Sequence, residues 1–199
     1  MPHSSQLTGA VLAGGQSRRM GRDKAGLLVD GVPLWQRQVQ LLRAAGAGKV
    51  GLVRRLDQPA PDLPADVALW HDAVTDVGPL AGLHAALASC ETSWLAVVAI
   101  DLPRMEARWF HWLGGFCSSG CGAIARRVGG AFEPLAAIYP QTTLGEVIRR
   151  LDGPDFSLQS LAHALIEQQR LVSVPLAEAD AWQLANWNTP SDFASGSQR

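Results

Sequence analysis

Cysteine is scarce in this chain: Cys90, Cys117 and Cys121 are the three among 199 residues. An odd count without paired spacings excludes a disulfide framework and fits reduced thiols. Cys117 and Cys121 could face one another on a helix, but no histidine or second cysteine pair accompanies them, so they read as buried or incidental thiols rather than metal ligands. A long apolar run is missing too. The longest, residues 94–100 (WLAVVAI), falls far short of the roughly 20 residues that a membrane-spanning helix needs. Residues 1–7 carry no basic patch followed by an apolar stretch of signal-peptide length, so the expected compartment is the cytoplasm. Charge of one sign is absent as well: 17 Lys and Arg stand against 18 Asp and Glu, for a formal net charge of −1. The cations are scattered, which argues against nucleic acid as a partner and leaves any cationic site local. No Pro/Gly/Ser linker interrupts the middle, so a single domain over residues 1–199 is expected, with residues 1–6 and 195–199 fraying.

Several familiar chemistries also lack their residues. His71, His84, His111 and His163 show no metal-ligand spacing, and neither Ser17 nor a cysteine has a recognisable catalytic partner, so nucleophilic-triad chemistry is unsupported. Neither a GxxxxGK motif followed by Ser or Thr nor GxGxxG occurs, which removes the P-loop hydrolase and dinucleotide-binding readings.

What is present is an alternation of strands and helices. Residues 8–13 (TGAVLA) form a short apolar strand ending at Gly14 and Gly15. Residues 33–45 carry Leu34, Trp35, Val39, Leu41 and Leu42 at helical spacing, with Gly46 to end the helix. Residues 50–53 and 67–70 read as two further short strands. Leu80, Leu83 and Leu87 mark a helix from Pro79, and residues 94–100 form a continuous apolar strand of the kind buried on both faces. Beyond it, a helix is expected at residues 108–117, strands near 122–126 and 134–138, and helices around 144–150 and 158–168. The fold class is therefore α/β: a Rossmann-like, mostly parallel sheet with helices on both faces, whose ligands sit at the carboxyl ends of the strands.

Chemistry concentrates in residues 12–24, LAGGQSRRMGRDK. Gly14, Gly15 and Gly21 bracket Ser17, Arg18, Arg19 and Lys24 directly after the first strand. Glycine lets the backbone approach an anion and expose consecutive N–H groups, while the cations neutralise charge, so this reads as a phosphate-binding loop. Asp101 follows WLAVVAI at the carboxyl end of a buried strand, where one carboxylate can serve Mg²⁺ if substrate phosphates and water supply the other oxygens. Asp72 has an analogous place after the third strand, with Asp76 in the same loop. Residues 78–82 (GPLAG) supply a turn and a helix start whose N–H groups can hold a nucleotide.

With these residues in view, the chain resembles the molybdenum cofactor guanylyltransferases and their close relatives among NTP transferases. LAGGQSRRMGRDK is the signature of that group. The resemblance continues in order through Asp72, Gly78-Pro79-Leu80-Ala81-Gly82, Asp101-Leu102-Pro103 and Glu133-Pro134-Leu135, and ends at Asn186-Trp187-Asn188-Thr189-Pro190. It implies a single nucleotidyltransferase domain that moves GMP from GTP to the terminal phosphate of a molybdopterin, with release of pyrophosphate and formation of the guanine dinucleotide cofactor. The implied nucleotide-binding residues are Leu12, Ala13, Gly14, Gly15, Lys24, Asp72 and Asp101. The implied catalytic residues are Arg19, Lys24 and Asp101, with Asp101 as ligand of the Mg²⁺ cofactor. Asn186 and Asn188 are the implied acceptor-binding residues, and Trp187 between them could pack against a heterocycle. Molybdoenzymes or cofactor-insertion proteins are the implied transient partners.

Two features bear on base choice. The family commonly carries an asparagine near the end of its second strand, where this chain reads Val53-Arg54-Arg55-Leu56. Pterin cytidylyltransferases usually begin the loop with Ala-Ala-Gly, whereas Ala13-Gly14-Gly15 leans toward guanylyl transfer. A cytidylyltransferase of the same pathway, or a related NTP transferase with another acceptor, is the near alternative, and a non-catalytic nucleotide-binding regulator is the alternative of another class.

Overall fold

A computed structural model describes residues 6–15, 23–187 and 192. Apart from Gln6, the termini expected to fray lie outside these residues, as do Ser17, Arg18, Arg19 and Asn188. The first strand, β1 (Leu7–Leu12), is buried on both faces, which suits its apolar run to a central place in a sheet. A small hairpin follows, β2 (Leu28–Val29) and β3 (Val32–Pro33), and leads into α1 (Leu34–Ala44). Next come β4 (Lys49–Arg55), β5 (Val67–Asp72), α2 (Pro79–Ala88), β6 (Trp94–Ala99) and α3 (Ala107–Gly114). The chain continues with β7 (Gly122–Arg126), β8 (Ala136–Pro140), α4 (Leu144–Leu151), α5 (Leu158–Glu167) and β9 (Leu171–Pro175).

Seven strands form one sheet in the order β5-β4-β1-β6-β8-β7-β9. The pairs β5-β4, β4-β1, β1-β6 and β7-β9 are parallel, and in this sheet β8 alone runs antiparallel to its neighbours, β6 and β7. The chain winds outward from β1 to β5, then returns to lay β6 on the other side of β1. That reversal leaves a crevice between the loops leaving β1 and β6, the place where open α/β sheets bind ligands. In register, Leu12 pairs with Val53 on one side and Ala99 on the other, so β1 and β6 end level, β4 runs two residues further to Arg55, and their loops open on one edge.

The two helical layers follow from the apolar stripes. Leu34, Val39 and Leu42 of α1 and Trp109, Phe110 and Leu113 of α3 share a core with Val11, Leu52 and Val98 on one face. Leu80, Leu83 and Leu87 of α2 pack with Leu161 and Leu165 of α5 and with Ala10, Val53 and Val97 on the other. α2 is apolar nearly all round because it lies between the sheet and α4. Among the described residues no helix is long and apolar enough to cross a membrane.

The structure departs from the sequence reading in particular places. The strand expected at residues 134–138 is displaced to Ala136–Pro140, because residues 133–135 turn; there the Leu135 carbonyl accepts the Ala99 N–H at 2.9 Å. The helix expected at residues 108–117 ends at Gly114, so Cys117 and Cys121 do not share a helix but flank a tight turn. Burial pushes the Cys117 thiol up to about 12, which leaves it inert at neutral pH. The strands expected at residues 50–53 and 67–70 run on to Arg55 and Asp72, making Asp72 a strand end rather than a loop residue. The β2-β3 hairpin and β9 are additional; the hairpin turns through Asp30 and Gly31, both at positive φ (52° and 78°).

Close packing at β7 yields a stability test. A Cβ built on Gly122 would lie 2.0 Å from the Ile138 carbonyl oxygen of β8, a backbone atom that cannot move without disturbing the pairing. Gly122→Ala is therefore expected to lower stability by about 1–3 kcal/mol, read as a lower urea midpoint with an unchanged slope.

Candidate active site

The carboxyl edge of β1, β4, β5 and β6 opens into a cleft of about 680 Å³, within the range of small-molecule sites. Its floor begins at the end of β1, which is fixed from both sides. The Leu12 carbonyl accepts the Ile100 N–H at 3.1 Å, and the Ala13 N–H donates to the Val53 carbonyl at 2.9 Å. From this anchored start Gly14 passes over the ends of β4 and β5. A Cβ on Gly14 would lie 3.1 Å from Asp72 Oδ2, so only glycine allows so close an approach without displacing the carboxylate. Gln58 then ties the loop down, donating from Nε2 to the Gly15 carbonyl at 3.2 Å.

Lys24 returns to the cleft on a short 3-10 turn, Lys24–Gly26, capped by Asp23. Its Nζ donates to the Trp187 carbonyl at 3.2 Å and lies 3.9 Å from Asp101 Oδ2. Trp187 in turn donates its backbone N–H to the Asp101 carbonyl at 2.9 Å. One peptide segment thus holds both members of a charge pair whose residues lie 77 positions apart in sequence. Burial pushes the Asp101 carboxyl above its ordinary value, and Lys24 opposes that shift only in part. Asp72 is also raised by burial, against the attraction of the Arg55 guanidinium.

All of the described residues expected to hold a nucleotide line this cleft: Leu12, Ala13, Gly14, Gly15, Lys24, Asp72 and Asp101. The N-terminus of α2 borders it at Gly78 and Pro79, directing a positive dipole end inward. Arg19 and Asn188 lie outside the described residues. Asn186 is exposed and is not part of the cleft lining, although its neighbour Trp187 contacts both Lys24 and Asp101. Trp187 itself is 5% exposed and packs in the core, with Arg104 over its ring, so its side chain is not offered to a heterocycle.

Sequence reasoning missed Asp57 and Gln58, and named Arg55 only where base choice was weighed, without a place in the site. Arg55 and Asp57 line the cleft as a mutually hydrogen-bonded pair, and Gln58 restrains the loop. The two-residue alternation of β4 is the signal that could have separated Arg55, facing the cleft, from Arg54, facing away. Among the described residues no cluster of three or more His, Cys, Asp or Glu side chains could cage a metal. Among the described residues, too, the cleft lining contains no Ser, Cys or His to serve as a covalent nucleophile.

Comparison with known proteins agrees with this geometry. Residues 9–177 match the MobA-like NTP transferase domain. A protein of Opitutus terrae named "Probable molybdenum cofactor guanylyltransferase" is 47% identical over 193 residues, covering 96% of this chain and 94% of that one. Among solved structures, molybdopterin-guanine dinucleotide biosynthesis protein A from Archaeoglobus fulgidus superposes with a TM-score of 0.72 at 24% identity, covering 96% and 97% of the two chains. The 2-C-methyl-D-erythritol 4-phosphate cytidylyltransferase of Thermus thermophilus gives 0.69 at 14%, covering 96% and 97%, and shares the fold alone. Matched by the family model over residues 9–177 and by a relative at 47% identity over nearly the whole length, the chain belongs to the MobA-like NTP transferase family.

Proposed function

We propose that this protein is a molybdenum cofactor guanylyltransferase, moving GMP from GTP to the terminal phosphate of a molybdopterin and releasing pyrophosphate. The observation that carries the reading is the meeting of Lys24 and Asp101, 3.9 Å apart, at the mouth of a glycine loop on the switch point of the sheet. The Opitutus terrae relative supports the choice of acceptor and base.

An oxygen of the acceptor phosphate attacks the α-phosphorus of GTP, a new P–O–P bond forms, and the bond to the β-phosphate oxygen breaks in line with it. The work for the protein is positioning and charge neutralisation. Gly14 and Gly15 let the backbone approach the phosphates, and Lys24 offsets charge that gathers on the departing pyrophosphate. Asp101 fits Mg²⁺ as a single hard oxygen donor, because that ion takes one or two carboxylates and completes its shell with phosphate oxygens and water. Bound there, Mg²⁺ would supply Lewis-acid polarisation of the phosphate oxygens. With the acceptor phosphate itself as the attacking group, the transfer requires no protein nucleophile. Asn186 and Asn188 are assigned to the acceptor on the family resemblance, and for Asn186 the assignment is supported by its neighbour Trp187, which is pinned against both Lys24 and Asp101. Handing the product to a molybdoenzyme or a cofactor-insertion protein completes the role.

A pyrophosphate-release assay with GTP, CTP, ATP and UTP, with and without molybdopterin, tests the proposal. GTP is expected to give acceptor-dependent release above the other three. A CTP preference would move the chain to the cytidylyl branch, and nucleotide binding without release would make it a regulator.

Asp101→Asn is expected to abolish this turnover while leaving the fold intact. Because burial raises the Asp101 pKa, the folded chain binds that proton more tightly than the unfolded chain, so the carboxylate costs stability at neutral pH. The variant should therefore melt higher than the wild type near pH 7, with the gap closing as pH falls toward the ordinary value of 3.8. Lys24→Ala is expected to weaken GTP binding by about tenfold, the scale of one charge-assisted contact, and to change GMP binding little. Equal losses for the two nucleotides in calorimetric titration would show that Lys24 does not read the β- and γ-phosphates.

A further inference from the structure

We infer that Arg54 is a positioning residue of the site, acting through Asp23 to set the place of Lys24. The inference rests on the nucleotide reading of the cleft. Side chains alternate along β4: Val53 and Arg55 line the cleft, and Arg54 points to the opposite, α1-facing side. There its guanidinium is completely buried, second in size only to Trp109 among the fully buried side chains. Nη2 donates to Asp23 Oδ2 at 2.7 Å, while Asp23 Oδ1 accepts the Ala25 N–H at 3.1 Å. A single carboxylate therefore joins a buried strand to the first peptide after Lys24. From that turn Lys24 reaches the Trp187 carbonyl and Asp101.

Stability alone is a poor reason for such an arrangement. Arg54 Nε and Nη1 are buried with no hydrogen-bond partner among the described residues. Only the arginine end of this pair is buried, the Asp23 side chain being 39% exposed, and a buried charge satisfied at one of its donors is commonly replaceable by an apolar side chain of similar volume without loss of stability. An apolar residue at position 54 could not hold the Asp23 carboxylate, however. Nor could it cancel the charge of that carboxylate, which stands one residue from the ammonium group assigned to a triphosphate. A polyanion entering the cleft would be repelled by Asp23 if it were unpaired, and Asp23 would compete with the nucleotide for Lys24. Arg54 removes both difficulties from the far side of the sheet, without touching the ligand.

The test is calorimetric titration of GTP and GMP into five proteins: wild type, Arg54→Met/Asp23→Asn, Arg54→Lys, Lys24→Ala, and the triple variant that combines the pair with Lys24→Ala. The Arg54→Met/Asp23→Asn pair keeps the side-chain volumes and the cap on Ala25, removes one charge of each sign, and leaves no unpaired buried charge to unfold the chain. It is expected to weaken GTP binding by about tenfold, as one charge-assisted hydrogen bond would, with GMP binding nearly unchanged. In the Lys24→Ala background the same pair should cause no further loss, since Arg54 acts only through Lys24. Arg54→Lys alone, which keeps a cation opposite Asp23, should lose less GTP affinity than the pair. Unchanged GTP affinity in the folded pair, an equal loss for GMP, or a loss adding in full to that of Lys24→Ala would overturn the inference while leaving the nucleotide reading intact. Failure of the wild type to bind GTP would overturn that reading and the inference together.

Discussion

Two opposite charges held 3.9 Å apart at the end of a buried sheet are what the rest of the site depends on. If Lys24 and Asp101 met at close hydrogen-bonded distance, each would satisfy the other and offer little to a third partner. Instead burial keeps the Asp101 carboxyl above its ordinary value despite the nearby ammonium, and the Trp187 carbonyl shares the Lys24 donors. Both groups are fixed in place but incompletely satisfied by each other, the condition of a site built to receive a polyanion together with its cation.

That condition is met by backbone more than by side chains. β1 ends level with β6 because Leu12 pairs with Ala99, and β4 continues past its Val53–Leu12 pairing to Arg55. Asp101 lies two residues beyond the end of β6, and its carbonyl is fastened to Trp187. The glycine loop starts from the same edge, and Gly14 clears Asp72 only because it lacks a Cβ. The helices contribute from behind, with α1 and α3 sealing one face and α2 and α5 the other. The frame is shared with cytidylyltransferases of low sequence identity, so the sheet accounts for the edge and the cleft, and the choice of base must come from side chains around it. Arg55, Asp57 and Asp72 occupy the wall where those choices can differ.

Much of this was legible in the sequence, for physical reasons that can be named. TGAVLA and WLAVVAI are apolar on both faces, which suits only the interior of a sheet, and the glycines after the first and Asp101 after the second mark the carboxyl edge. The α1 stripe of Leu34, Val39 and Leu42 is likewise a clear helical period. The β2-β3 hairpin carried a readable signal as well, Asp30-Gly31 between apolar pairs, but each strand is two residues long and offers no alternation. β9 was hidden for another reason: LVSVP buries Leu171 and Val174 but exposes Val172, so its pattern follows neither a buried run nor a strict two-residue period. The shift of β8 to Ala136–Pro140 reflects a turn at residues 133–135 whose apolar Leu135 mimics a strand start. Least legible was the division of labour between Arg54 and Arg55. Two adjacent arginines after an apolar strand suggest a solvated end, whereas one of them is entirely buried against Asp23.

The account's central claim is that the Lys24–Asp101 pair receives the triphosphate and its metal. It is tested most directly by crystals grown with a non-hydrolysable GTP analogue and Mn²⁺, using the anomalous signal to locate the ion. The expected result is a manganese peak at coordination distance from an Asp101 carboxylate oxygen, with the β- and γ-phosphates within hydrogen-bond reach of Lys24 Nζ and the guanine in the cleft walled by Arg55 and Asp72. A nucleotide bound elsewhere, or a metal held without Asp101, would contradict it.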